Sequence, residues 1–171
     1  MKAKFIKKEL WLLTIGGSFQ RANIYQVGIN ENVKKEFRNE LQRFIDEILE
    51  KYNNALISDE THIENIYKIK RFSSQNYSAI LTNGQLNFGV CQKLLNLYLK
   101  YQWCLNLTST PPHFPVDRII QQKLKVPTVY SWTKNLEEKQ YLEVINHARK
   151  EYIAKGYTSI AEQELQLFSR N

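Results

Sequence analysis

Cysteine is almost missing from this chain: 171 residues contain two, Cys91 and Cys104. Both fall in one apolar stretch that reads as a continuous helix, which holds their side chains roughly 20 Å apart along the axis, too far to bridge. An internal disulfide is excluded, and a reducing compartment, the cytoplasm, is the expected location. Glycine and proline are sparse as well, at six and four residues. No glycine-rich phosphate loop follows a strand and no Gly-x-Ser-x-Gly elbow occurs, so nucleotide-driven and acyl-transfer chemistry drop out. His62, His113 and His147 stand far apart, without Cys or carboxylate neighbours at ligand spacing. Neither a metal nor another cofactor is expected. Long hydrophobic runs are lacking too, since nothing approaches the roughly 18 uninterrupted apolar residues of a membrane span. The stretch from Leu10 to Ile15 behind the N-terminal lysines is too short for a signal peptide, has no small-residue cleavage site, and reads as part of a core helix. A membrane is not among the expected partners.

What the chain does have is apolar material and positive charge. Hydrophobic residues make up 43% of it, enough for one real core, and the length suits a single domain over 1–171. Twenty-four Lys and Arg against 17 Asp and Glu leave a formal charge of +7. That balance favours an anionic partner, nucleic acid first among them, although a basic composition alone does not select one.

The periodicity predicts an all-α, compact multi-helix domain. A first apolar helix runs from about Lys4 to Ile15 and stops at Gly16-Gly17. The stretch near 18–29 lacks helical spacing and reads as a short strand or an irregular linker. From Asn30, apolar residues from Val33 to Tyr52 recur at three- and four-residue steps, an amphipathic helix punctuated by Asn53-Asn54. Ser58-Asp59 caps the next helix, with Asp59 and Glu60 complementing its dipole, and a polar linker follows from Ser73 to Asn83. Residues 85–105 are apolar almost all round, the mark of a central, enclosed helix. Pro111-Pro112 ends it, Asp117 is the candidate N-cap of a short helix through Leu124, and Asn135 with Glu138 has capping-box spacing for a helix that stops at Gly156. A last short helix runs from about Ser159 to Phe168.

On the central helix the polar residues are confined. At about 100° per residue, Lys93, Asn96 and Lys100 fall within roughly 60° of one another, with Gly89 on the same line and Gln92 beside it. Such a stripe reaches solvent, finds partners, or lines a cleft, because an unpaired buried ammonium is costly. Downstream, His113, Asp117 and Arg118 gather an imidazole, a carboxylate and a guanidinium at a helix entrance, where free amide donors suit a phosphate or position a carboxylate. Asp117 is equally an ordinary helix cap.

Gly89-Val90-Cys91-Gln92-Lys93, then an apolar helix, then Pro115-Val116-Asp117 at the head of the next helix, resembles the helix-hairpin-helix DNA glycosylases, in particular the 8-oxoguanine glycosylases and their archaeal relatives. Cys91 stands where that family has its second hairpin glycine, and Leu86-Asn87-Phe88 replaces its Leu-Pro. The resemblance implies that Lys93 is a catalytic amine attacking a sugar C1′, that Asp117 supports proton transfer, and that the partner is DNA. Gln92, Asn96, Lys100, His113, Arg118 and Trp132 are then the candidate substrate-contacting residues. A nucleophilic amine needs a lowered pKa, which a partly desolvated site near another cation such as Lys100 supplies. The wider pattern from Phe88 to Trp132, with His-x-Pro-Val-Asp and Trp-Thr-Lys, is similar to a group of bacterial proteins with no assigned activity, and informs fold more than function. Two other readings are open: a noncatalytic module binding nucleic acid or an acidic protein, and a homo-oligomer using the helix from Val33 to Tyr52 as its seam.

Overall fold

The computed structural model describes residues 1–53 and 55–168, and the described residues form seven α-helices. The first, α1 (Lys2–Phe19), does not stop at Gly16-Gly17. Gly17 instead serves close packing, since a Cβ there would stand 2.7 Å from Leu97 Cδ2 of the central helix. The tertiary contact carries the helix through a local stop signal. The stretch that follows is irregular except at Tyr25, which forms a single antiparallel bridge with Leu81.

α2 (Glu31–Leu49) starts at Asn30, whose Oδ1 accepts from Asn32 N–H at 2.8 Å, and buries Phe37, Leu41, Ile45, Ile48 and Leu49 on one face. A turn of 3-10 helix at Glu50–Tyr52 and Asn53 end it; Asn54 lies outside the described residues. α3 (Asp59–Tyr77) is capped by Ser58 and runs past the expected boundary at Ser73. Ser73 is buried, and its hydroxyl donates to Lys70 O at 2.7 Å while accepting from Leu86 N–H at 2.9 Å. It thus joins α3 to the start of the central helix, and the expected polar linker shrinks to the loop after a second 3-10 turn at Ser78–Ile80.

The central helix is α4 (Phe88–Cys104), opened by Asn87, whose Oδ1 accepts from Val90 N–H at 2.7 Å. Every residue from Phe88 to Lys100 is buried, as the all-round apolar pattern requires, with α1 and α3 packed against it. α5 (Arg118–Lys123) begins where expected, with Asp117 Oδ1 accepting from Ile120 N–H at 3.0 Å. α6 (Glu138–Glu151) lacks the expected capping box: Asn135 Oδ1 accepts from Ser131 N–H in the preceding turn, and Glu137 at the N-cap makes no side-chain cap. α7 (Ile160–Leu167) is capped by Ser159 and packs on α5 and α6. Both thiols are free, Cys91 buried and Cys104 exposed. No helix among the described residues is long and apolar enough to cross a membrane.

Candidate functional site

Two elements set the central pair. α4 carries Lys93 on its second turn, and the extended segment ahead of α5 delivers Asp117, 24 residues later, so that Lys93 Nζ donates to Asp117 Oδ2 at 3.2 Å. The carboxylate is divided between two tasks, because its other oxygen caps α5. Trp132, from the loop between α5 and α6, completes the setting: the Lys93 ammonium stands 4.1 Å from the centroid of its ring, within cation–π range.

The pair opens on a cleft of about 550 Å³, walled by Gly17 and Arg21 at the end of α1, by Arg118 and Lys123 of α5, and by Trp132 and Phe168. A neighbouring hollow shares Lys93, Asp117 and Phe168 and adds Glu164 of α7. The volume falls within the usual range of small-ligand sites. Burial pushes the Lys93 amine below the ordinary lysine range. Asp117 opposes that shift, Arg21 adds to it, and Glu164 opposes it. The amine therefore combines easier deprotonation with an adjacent carboxylate.

Of the residues named from sequence, Lys93, Asp117, Arg118 and Trp132 line the cleft. Lys100 does not join them: it is buried, pairs with Glu164 at 2.8–2.9 Å, and lies 3.8 Å from the Phe168 ring centroid. The cation acting on Lys93 is Arg21 rather than Lys100. Gln92, Asn96 and His113 are fully buried behind the cleft. They belong to a hydrogen-bonded chain whose donors and acceptors can be assigned consistently. Asn65 Nδ2 donates to Tyr52 Oη, and the Tyr52 hydroxyl to His62 Nδ1; His62 Nε2 donates to Asn96 Oδ1. Asn96 Nδ2 donates to Tyr141 Oη, Tyr141 to His113 Nδ1, and His113 Nε2 to Asp59, which Arg149 grips with both terminal nitrogens at 2.5 and 2.7 Å. Both imidazoles are neutral with the proton on Nε2 in this pattern. Burial holds His62 well below the usual histidine range and His113 at about 4.

Sequence reasoning missed Arg21, Glu164 and Phe168 at the cleft and Tyr52, His62, Asn65, Tyr141 and Arg149 in the chain behind it. No local pattern announces them; Asp59 and Arg149 are 90 residues apart. The two histidine rings, 51 positions apart in sequence, pack at 4.6 Å between centroids. Among the described residues, no three His, Cys, Asp or Glu side chains are arranged to hold a metal ion. Comparison with protein-family models, with curated proteins and with solved structures found no match.

Proposed function

We propose that this protein is a DNA glycosylase/lyase-type enzyme in which Lys93 is the nucleophile and Asp117 its supporting carboxylate. The observation that carries the reading is the 3.2 Å contact between the two groups at the wall of an open cleft, beside an indole. It is joined by the resemblance of Gly89 to Lys93 and of Pro115 to Asp117 to the helix-hairpin-helix glycosylases. Arg21, Arg118 and Lys123 around the mouth suit an anionic backbone.

The neutral amine attacks the sugar C1′. The new N–C bond forms as the bond from C1′ to the base breaks, and the base leaves with the bonding electrons. Nζ then loses its proton, for which Asp117 Oδ2 is the nearest acceptor. Opening of the sugar ring gives a Schiff base, whose imine makes the proton on C2′ acidic and so permits elimination of the 3′ phosphate. An ionised Asp117 also opposes the positive charge that develops on the sugar. At an abasic site the amine meets the aldehyde directly and water leaves.

Borohydride reduces the imine to a stable amine, so trapping on abasic and oxidised-guanine duplexes tests the chemistry. A covalent adduct is expected, and Lys93→Gln abolishes it while keeping most of the duplex affinity. No adduct on any lesion refutes the enzyme and leaves a noncatalytic binding module, for which Lys93→Gln produces a small, uniform loss of affinity that weakens further with salt.

A further inference from the structure

Gln92 and Lys93 are neighbours on α4, and Val116 and Asp117 are neighbours on the segment that crosses it. Gln92 grips Val116 by both backbone polar groups: Nε2 donates to the carbonyl at 2.8 Å, and Oε1 accepts from the N–H at 3.1 Å. This is the two-bond pairing of adjacent strands, made here by a side chain. The rest of the amide is used within α4, Nε2 donating to Gly89 O at 3.0 Å and Oε1 accepting from Asn96 Nδ2 at 3.2 Å. An amide has two protons and two acceptor sites, so Gln92 is saturated and its side chain has one orientation.

Gln121 of α5 repeats the arrangement on the other wall. Its Nε2 donates to Tyr130 O at 2.9 Å and its Oε1 accepts from Tyr130 N–H at 2.7 Å, while Nε2 also reaches Asp117 O at 3.0 Å. Tyr130 is two residues ahead of Trp132. Both glutamines are fully buried. One clamp therefore ends one residue before the carboxylate that meets Lys93, and the other two residues before the indole beneath it.

We propose that Gln92 and Gln121 are positioning residues that fix the two neighbours of the Lys93 amine, the first placing Asp117 and the second placing Trp132. Neither touches the cleft. Their importance for turnover rests on the glycosylase/lyase reading above, whereas their effect on Lys93 does not.

The groups that face Lys93 are Asp117, Arg21 and Glu164, with the Trp132 ring covering it. Gln92→Met frees Val116 and lets Asp117 drift, removing a group that favours the charged amine, so the pKa of Lys93 falls below that of the wild type. Gln121→Met uncovers the amine by releasing Trp132, so its pKa rises toward the ordinary lysine range. General loosening of the fold hydrates the amine in both variants and moves both upward. Titration of the Lys93 Nζ resonance by NMR on the 15N-lysine-labelled chain separates these outcomes, with Lys93→Arg supplying the assignment. Opposite shifts support the proposal; two upward shifts, or none, overturn it. If either variant fails to fold, backbone exchange in the wild type decides. Val116 and Tyr130 N–H, which bond to side-chain oxygens outside any helix, exchange slowly if the clamps hold; exchange at free-loop rates overturns them.

Trapping on an abasic duplex adds the functional arm. Gln92→Met keeps duplex affinity and slows adduct formation by about tenfold to a hundredfold, the cost of misplacing a reacting group by about 1 Å. If the Lys93 shifts occur but wild-type protein forms no adduct, the clamps stand and the lyase reading falls. If the wild type forms an adduct and both variants titrate and trap as it does, the lyase reading stands and the clamps fall.

Discussion

Gly89 and Trp132 meet backbone to backbone: a Cβ on Gly89 would stand 1.9 Å from the Trp132 carbonyl oxygen and 2.7 Å from its carbonyl carbon. The loop that carries the indole to Lys93 can lie against α4 only because residue 89 has no side chain. Gly89→Ala therefore has to push the Trp132 backbone away, and overpacking against a main chain cannot be relieved by a rotamer change. Destabilisation of about 3 kcal/mol is expected, the upper end of overpacking costs. Gly17→Ala meets only the end of the Leu97 side chain at 2.7 Å. There the gain of about 1 kcal/mol in helix propensity offsets the adjustment, and the net change stays within about 1 kcal/mol. Chemical denaturation of the two variants, followed by tryptophan fluorescence, checks the contrast.

Acid should unfold this protein earlier than carboxylate protonation alone would. The His113 imidazole titrates at about 4 in the folded chain against 6.5 for an ordinary histidine, because burial penalises its charge more than Asp59 favours it. A depressed histidine pKa means that the unfolded chain binds the proton first. Stability is thus complete above about pH 6.5 and is lost as pH falls toward about 4, by about 3 kcal/mol for this group. His62 adds to the loss in the same direction, and Asp59, held low mainly by its hydrogen bonds from Arg149, adds more below the ordinary carboxylate range. Urea midpoints measured from pH 7.5 to 4.5 should fall steadily through this window, and His113→Gln should flatten the profile. A wild-type midpoint constant from pH 7 to 5 contradicts the neutral, buried imidazoles.

The thiols offer a simpler check on packing. Cys104 is exposed at the end of α4, while Cys91 is fully buried and burial raises its pKa. A thiol reagent at pH 7.5 should therefore titrate one group in the native protein and two in denaturant, with Cys104→Ser removing the fast reaction. Rapid reaction of both thiols in the native state contradicts a closed α4.

What the sequence disclosed depended on range. Where one face or one cap decides, as in the apolar repeat of α2, the all-round burial of α4, and the caps at Asn30, Ser58 and Asp117, the residues involved lie within a few positions of each other. The misreadings at Gly16-Gly17 and Ser73 came from distant partners, Leu97 for the glycine and Leu86 for the serine, that outweighed a local stop signal. Lys93 and Asp117 could be named from local motifs, but their meeting across 24 residues is a tertiary fact. His113 shows the limit most clearly. Its place beside a helix entrance suggested a cleft wall, yet Tyr141 and Asp59, 28 and 54 residues away, hold both ring nitrogens inside the core.

The buried pair of Lys100 and Glu164 gives the sharpest test of how α7 closes the site. Both residues are almost fully buried, and both Glu164 oxygens lie within 3 Å of the amine. Burial raises the Glu164 pKa and Lys100 opposes the rise, so the amine is what keeps the carboxylate tolerable. Lys100→Met strands that carboxylate and should destabilise the fold by about 3–5 kcal/mol, whereas Lys100→Met with Glu164→Leu should recover most of the loss, because matched apolar replacement of a buried pair is often neutral. The pH dependence has a definite sign. A raised carboxyl pKa is a penalty that grows above the ordinary carboxylate range and disappears as the group protonates, so the deficit of Lys100→Met relative to wild type should shrink as pH falls from 7.5 toward 5. Urea titrations of the wild type, both single variants and the double variant supply the cycle. A double variant as unstable as Lys100→Met alone contradicts the pairing, and with it the attachment of α7 to α4 beside the cleft.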